Sequence, residues 1–377
     1  NVFKKLQFVI VDEWHELLGS KRGVQVELAL SRLRAINPDL KVWGISATIG
    51  NLQEAKDILL GAASKKGVLV KAEIEKKTII ETILPETLEK FPWAGHLGLK
   101  LGNKVLEVIY KSNSTLVFTN TRFQAETWYR HLLELEPDLA GLLALHHGSL
   151  GEETRKWVEA ALHEGKLKAV VCTSSLDLGV DFRPVDTVIQ IGSPKGVARF
   201  MQRAGRSGHR PGATSKIYFV PTHSLEIIEG SAMRYAIKND KVESRIPYIR
   251  SFDVLIQYLV TLAVSDGFIP EQIFKEIKQT HCFNSTTWEE FAWCLAFITT
   301  GGKSLYAYDE FHKVVIENGV YKVINRRIAM QHRLSMGTIV SGGMLQIKFV
   351  TGKYFGTIEE WSISRLKPGD VFWFAGR

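Results

Sequence analysis

Cysteine is scarce in this chain and long apolar runs are absent. The three cysteines, Cys172, Cys282 and Cys294, show no paired spacing. That excludes a disulfide framework and points to a reducing compartment, with the cytoplasm as the expectation. His281 stands next to Cys282, but the spacing to Cys294 is not that of a zinc finger. No apolar stretch reaches the ~20 residues that a membrane-spanning helix needs, so no membrane partner is expected. There is no internal repeat and no low-complexity tract. No secretory leader is evident either: Asn1-Val2-Phe3-Lys4-Lys5 runs straight into the first candidate strand without an initiator Met, and the expectation is a piece of a longer protein. What is present is ordinary globular material, 45% hydrophobic and 23% charged, over 377 residues. That is enough for two or three domains with real cores. The net charge of +8 suits a polyanionic partner without requiring one.

One stretch organises the rest. Phe8-Val9-Ile10-Val11 is a continuous apolar run, which reads as a strand buried on both faces in a parallel sheet. It leads directly into Asp12-Glu13-Trp14-His15. Two adjacent carboxylates therefore sit at the carboxyl end of a strand, the edge where open α/β sheets bind ligands. Side-by-side carboxylates are costly to bury without a compensating cation, and Mg2+ accepts hard oxygen ligands and phosphates together. Taken alone, these residues are more simply read as a strand end turning into a solvated acidic loop.

Residues 1–70 alternate strand and helix. Val24, Leu28, Leu33 and Ile36 recur at helical spacing, and Pro38 ends that helix. Lys41–Ser46 reads as a second buried strand, Leu52–Leu60 as a helix and Val68–Val70 as a third strand. Residues 71–94 are charged and carry Pro85 and Pro92, and so read as a linker with room for one strand near Thr78–Ile83. From 95 to 224 the alternation returns, with strands at Leu116–Phe118, Leu142–Leu145, Ala169–Cys172, Val185–Ile191 and Ile217–Val220, which predicts a parallel sheet covered by helices. Residues 225–300 are helical. Asn318-Gly319 between Lys313–Ile316 and Val320–Val323 is a hairpin signal, and helices followed by a hairpin are how a winged helix reads. Residues 301–377 are short Gly-punctuated strands, Met344–Val350, Tyr354–Ile358 and Val371–Ala375, a β-rich module that is expected to be incomplete. Trp288, Trp293 and Trp361 could stack on nucleobases, though each is more simply read as core.

Three more stretches lie at strand ends: Ser46-Ala47-Thr48, then Thr173-Ser174-Ser175-Leu176-Asp177-Leu178-Gly179-Val180-Asp181, then Gln202-Arg203-Ala204-Gly205-Arg206-Ser207-Gly208-His209-Arg210. Each alone is modest, since hydroxyls after strands cap helices and arginine-rich helices are often solvated. In this order, with Asp12-Glu13-x-His15, they resemble motifs II, III, V and VI of superfamily 2 helicases. Phe118-Thr119-Asn120-Thr121-Arg122 resembles motif IV. His146-His147-Gly148-Ser149-Leu150, Gln202 to His209 and Leu366-Lys367-Pro368-Gly369-Asp370-Val371-Phe372 resemble the large helicase-related (Lhr) family. Asp12 to Leu17 and Lys21-Arg22-Gly23 look like its bacterial ligase-associated branch.

The resemblance implies an α/β fold of two RecA-like parallel-sheet domains, the first truncated at its N-terminus. A winged helix and the start of a β-barrel-like module would follow. It implies ATP and Mg2+ as cofactors and 3′-to-5′ movement on single-stranded DNA or 3′-tailed DNA in repair. An RNA–DNA hybrid, or a ligase or nuclease encoded nearby, would be a further partner. Asp12 would hold Mg2+ through water and Glu13 would polarise the attacking water. His15 would couple the first motor domain to Gln202 of the second. Ser46 and Thr48 would relay the nucleotide state. Arg206 would be the arginine finger, closing with the acidic pair over one triphosphate. Gly179 and Asp181 would lie near the nucleotide, and Arg203 would be a second phosphate contact or a structural ion pair. Thr121, Arg122, Gly148 and Thr173 would face the nucleic-acid backbone.

Two departures matter. His209 stands where many relatives have a second arginine finger, which leaves the role of Arg210 open. No Gly-Lys-Thr phosphate-binding loop occurs. Gly301-Gly302-Lys303-Ser304 lacks the spacing and a preceding strand, and reads as a turn. The expectation is that this loop lies upstream and that the chain alone is inactive. The alternatives are a non-catalytic nucleic-acid-binding fragment and an RNA-acting helicase.

Overall fold

The computed structural model describes residues 2–47, 49–71, 77–85, 98–177, 185–208, 214–301, 313–337, 344–359, 369–372 and 374. Thr48, Gly179, Asp181, His209, Arg210 and Trp361 lie outside them. In chain order the elements are β1 (Phe8–Val11), α1 (Trp14–Leu17), α2 (Lys21–Ile36), β2 (Lys41–Gly44), α3 (Leu52–Leu60), β3 (Thr78–Thr82), α4 (Gly102–Lys111), β4 (Thr115–Phe118), α5 (Arg122–Leu135), β5 (Leu143–His146), α6 (Glu152–His163) and β6 (Ala169–Cys172). Then come β7 (Thr187–Ile191), α7 (Val197–Ala204), β8 (Ser215–Val220), α8 (Ser224–Lys238), α9 (Phe252–Val264), α10 (Pro270–Ile277), α11 (Trp288–Thr300), β9 (Val315–Glu317), β10 (Val320–Lys322), α12 (Arg326–Leu334), β11 (Met344–Lys348) and β12 (Tyr354–Glu359). No helix among the described residues is long and apolar enough to cross a membrane.

The contacts gather two compact units, each made of two separate stretches: 1–71 with 244–340, and 72–243 with 341–377.

In the first unit β1 and β2 pair in parallel, Val11 opposite Gly44. Strand side chains alternate between faces. Val9, Val11 and Val42 turn toward Trp14, Leu30, Ile58 and Leu59, whereas Phe8, Ile10 and Trp43 are about half exposed. The expectation of two-sided burial is therefore corrected. Among the described residues helices cover only one face, and an apolar run does not reveal what lies on each side. The expected strand at Val68–Val70 is not formed, and both valines are exposed.

Helix α2 is the shared wall of this unit. Ser20 caps it, its hydroxyl accepting the Gly23 N–H. Leu30 joins the β1–β2 core, while Val24 and Leu28 join the core of α9, α10 and α11. Polar contacts fix the docking. Ser31 Oγ donates to the Glu276 carbonyl at 2.6 Å, and Arg32 pairs with Glu276 at 2.7 Å. Helices α9 to α11 and the β9–β10 hairpin form a winged helix. Asn318 and Gly319 make the hairpin turn at positive φ, 51° and 79°. Phe268 and Tyr321 exchange both backbone hydrogen bonds, which attaches the wing to the loop before α10. Gly301, at φ 72°, is the C-cap of α11, and the rest of the expected Gly301–Ser304 turn lies outside the described residues. Trp293 and Trp288 are about half exposed rather than core, and Trp293 stacks on Phe297 at 5.6 Å. Helix α12 was not expected, although Asn325 caps it by accepting the N–H groups of Arg327 and Ile328.

Glu27 on α2 is buried and accepts the Cys282 N–H at 3.0 Å. Burial raises its pKa from 4.5 to about 7 against the opposing backbone hydrogen bonds from Cys282 and His281. A carboxyl whose folded pKa is raised holds its proton more tightly in the native state. The stability that protonated Glu27 contributes is therefore lost as pH rises from 4.5 to 7, a change on the order of 3 kcal/mol. Urea unfolding at pH 5 and pH 8 is expected to show this loss in the wild type and a much smaller one in Glu27→Gln. Equal pH slopes in the two proteins would refute it.

The second unit holds a six-stranded sheet in the order β3-β8-β7-β4-β6-β5, parallel throughout. Strands β4, β5, β6 and β7 are buried along their whole length between two helix layers, the two-sided burial that continuous apolar strands demand. The strand expected near Thr78–Ile83 within the linker is present as Thr78–Thr82, and it is the edge strand that pairs with β8. The hairpin β11–β12 joins this unit, whereas the described residues 371, 372 and 374 form no strand. All three cysteines are buried free thiols, with burial pushing Cys282 up to about 11 and Cys294 to about 12.

Candidate functional site

Asp12 and Glu13 follow β1 at its carboxyl end. The Glu13 N–H donates to Asp12 Oδ1 at 2.8 Å. Glu13 occupies the left-handed region, φ 51° and ψ 40°. For a residue with a Cβ that conformation costs energy and is kept where the surroundings over-determine it, as at active sites. Here Trp14 supplies the constraint. Its N–H donates to the Ile45 carbonyl at 3.0 Å and its indole Nε1 to the Ala55 carbonyl at 2.9 Å.

His15 is 2% exposed. Its Nδ1 accepts the Ala47 N–H at 3.1 Å, so the proton of the neutral ring sits on Nε2, which lies 3.7 Å from Glu16. Burial lowers the His15 pKa against the raising influence of Glu16 and Glu13, which keeps the ring neutral. Since Ala47 already uses the Nδ1 lone pair, the 3.5 Å approach of Glu13 Oε2 is not a hydrogen bond and leaves that carboxylate available. His15 thus locks the Asp12–Glu13 corner to the Ser46–Ala47 stretch of its own unit. Ser46 is exposed, its hydroxyl turned onto the Ala47 carbonyl. Among the described residues no three His, Cys, Asp or Glu side chains gather as a metal site. Mg2+ commonly binds through one or two carboxylates completed by water and phosphate, and the solvent-facing Asp12 fits that donor set.

In the second unit the other candidates sit at the carboxyl ends of the neighbouring strands β4, β5 and β6, or just beyond them. The Thr119 N–H donates to the Cys172 carbonyl and the Thr173 N–H to the His146 carbonyl, which ties the three ends together. Gly148 is exposed with open space around it. Thr121 caps α5, its hydroxyl accepting the Gln124 N–H at 3.1 Å. Arg122 lies 3.7 Å from Glu126 with a quarter of its side chain exposed. His146 is buried, with Ser175 Oγ at 2.8 Å from Nδ1 and Glu159 at 3.1 Å from Nε2.

Helix α7 carries Gln202, Arg203 and, just past its end, Arg206. Arg203 is 2% exposed. Its Nε and Nη2 grip Asp177 at 2.8 and 3.1 Å, its Nη1 donates to Gln190 at 2.7 Å, and the guanidinium lies 4.7 Å from the Phe118 ring. Of its two expected roles the structural ion pair is the one formed, because every polar atom the guanidinium reaches belongs to the core. Sequence reading missed Asp177 and Gln190, which carry no motif signal as partners. Gln202 and Arg206 are half-buried. Arg206 Nε is buried without a hydrogen-bond partner among the described residues, a donor that gains from an incoming acceptor. Ser207 anchors this corner, its hydroxyl accepting the Lys216 N–H at 2.8 Å. Gly208 sits at φ 64°, where a Cβ would come within 2.6 Å of the Thr214 carbonyl oxygen. Both the conformation and the close approach require glycine.

Three family models match the chain: DEAD/DEAH box helicase over residues 1–56, helicase conserved C-terminal domain over 101–211, and the winged helix domain of large helicase-related protein over 235–377. The ATP-dependent helicase Lhr-Core protein 2 of Thermococcus barophilus is 32% identical over 384 residues, covering 99% of this chain and 44% of that protein. The ATP-dependent helicase Lhr-Core of Methanocaldococcus jannaschii is 31% identical, covering 99% and 43%. The solved structure of Mycobacterium smegmatis helicase Lhr bound to ssDNA and AMP-PNP matches with a TM-score of 0.78 at 25% identity, covering 99% of this chain and 48% of that one. The chain spans less than half the length of these relatives. Two RecA-like units and an Lhr winged helix, matched from end to end, place this chain in the large helicase-related (Lhr) family of superfamily 2 helicases.

Proposed function

We propose that the protein to which this chain belongs is an ATP-dependent DNA helicase and translocase that moves 3′ to 5′ on single-stranded DNA and serves DNA repair. The observation that carries the reading is the corner after β1, with adjacent carboxylates, a left-handed Glu13 and a neutral His15 locked onto Ala47. The names of the Lhr-Core relatives and the ssDNA and AMP-PNP held by the Mycobacterium protein support it.

In this reading Asp12 would hold Mg2+, which would offset phosphate charge when bound. Glu13 orients and polarises the water that attacks the terminal phosphoryl group. Arg206 stabilises charge on the group being transferred. Ser46 and Thr48 pass the nucleotide state to the nucleic-acid grip through the backbone that His15 holds, and Gln202 answers His15. Gly179 and Asp181 contact the nucleotide. Thr121, Arg122, Gly148 and Thr173 follow the phosphate backbone, where hydroxyls, guanidinium and backbone N–H groups position a strand without reading its sequence. The residues Asp12 to Leu17 and Lys21 to Gly23 support the bacterial ligase-associated branch.

The test is ATP hydrolysis by the full-length protein with single-stranded DNA or RNA of equal length, together with unwinding of 3′- and 5′-tailed duplexes. DNA is expected to stimulate turnover more than RNA, and only the 3′ tail is expected to support unwinding. Equal or greater stimulation by RNA would turn the assignment to an RNA-acting helicase. No hydrolysis with or without either nucleic acid would leave a non-catalytic binding role.

A further inference from the structure

The carboxyl-terminal segment of the second unit clamps two of the loops assigned above to nucleic-acid contact. Leu150 bridges Gly356 of β12, and the Thr357 N–H donates to the Ser149 carbonyl at 3.2 Å. A Cβ at Gly356 would lie 2.3 Å from the Ser149 oxygen and 2.7 Å from the Phe374 ring, so the hairpin approaches closer than any other residue allows. Phe374 is 3% exposed and packs on Phe355 at 5.3 Å. Its ring lies under the Arg122 guanidinium, 5.3 Å from the centroid, and 6.5 Å from the His147 ring at 76°. Glu126 completes the cluster, 3.2 Å from His147 Nε2 and 3.7 Å from Arg122 Nε.

We propose that Phe374 is a positioning residue for nucleic-acid binding, acting through Arg122 and the His147–Gly148 loop. The inference rests on the function proposed above. The ring fills the space beneath the guanidinium and beside the imidazole, while Glu126 lies close to both. Arg122 thus lies over the ring with a quarter of its side chain exposed. A planar guanidinium stacked on an aromatic face loses less freedom when it meets a phosphate than an unsupported one. The same ring holds His147, and with it the exposed Gly148. The β-rich segment thereby sets the grip of the second motor domain without touching the strand through Phe374 itself.

The experiment measures ATP hydrolysis of the full-length protein against single-stranded DNA concentration for wild type, Phe374→Ala, Phe374→Leu, Arg122→Ala and Arg122→Ala/Phe374→Ala, with the thermal midpoint of each. Phe374→Ala is expected to raise the half-saturating DNA concentration about tenfold, the scale of a desolvated cation–π contact. Turnover at saturating DNA should stay within twofold of wild type. Phe374→Leu, which fills space but offers no ring face, should keep the thermal midpoint and still bind DNA more weakly. In the Arg122→Ala background the second substitution should add less than twofold, because the two residues act as one. Wild-type DNA affinity in both Phe374 variants, or additive losses in the double variant, would overturn the proposal. A wild-type enzyme indifferent to DNA would instead remove the helicase reading, and this inference with it.

Discussion

Glu13→Gln is expected to lower ATP turnover of the full-length protein by about 10²-fold or more, the usual worth of a positioned general base, while nucleotide binding persists. The substitution keeps shape and removes only charge and basicity. Glu13 is held by its backbone, through the left-handed corner and the Trp14 hydrogen bonds, so Gln should occupy the same place. Its carboxylate makes no hydrogen bond to His15, because Ala47 already occupies Nδ1. The thermal midpoint should therefore stay within about 1–2 °C of wild type. Steady-state hydrolysis and binding of a fluorescent ATP analogue check both halves. Unchanged turnover would remove Glu13 from the chemistry.

Arg203→Ala and Arg206→Ala should fail in opposite ways, although the two arginines stand three positions apart. Removing Arg203 leaves Asp177 buried with its main counter-charge gone and Gln190 without its donor. Arg199, 3.7 Å from Asp177, is too distant to replace a bidentate pair. Breaking a buried pair from one side typically costs about 3–5 kcal/mol. In a unit of this size that lowers the unfolding midpoint by roughly 10 °C. Lysine cannot substitute, since it lacks the fork that reaches Asp177 and Gln190 together. Arg206→Ala, by contrast, removes a half-buried guanidinium whose Nε has no partner among the described residues. Its expected signature is a loss of turnover of about 10²–10³-fold with little change in unfolding. Thermal melts beside ATP hydrolysis separate the two. A stable Arg203→Ala protein that merely fails to hydrolyse ATP would return Arg203 to the nucleotide.

Local signals were legible wherever one stretch of chain decides its own conformation. Asn318-Gly319 specified its hairpin, because few residues tolerate two successive positive φ angles. The apolar runs of β4, β6 and β7 announced two-sided burial and have it. The same signal at β1 and β2 was followed by only one covered face among the described residues, since the pattern states a side chain's preference and not what is available to satisfy it. Helix α12 was missed because its apolar residues are few, though the Asn325 cap marked its start.

The sequence by itself determined the family, the parallel α/β character and the set of polar residues that end the strands. Order and spacing along the chain are enough to identify a constellation of motifs. Only the tertiary structure decided which of two neighbouring arginines belongs to the core, that residues 78–82 complete the second sheet, and that α2 presents one face to the β1–β2 core and another to the winged helix. It alone placed Phe374 beneath Arg122. Each of these depends on a partner distant in the chain, and burial is a property of the pair rather than of either residue.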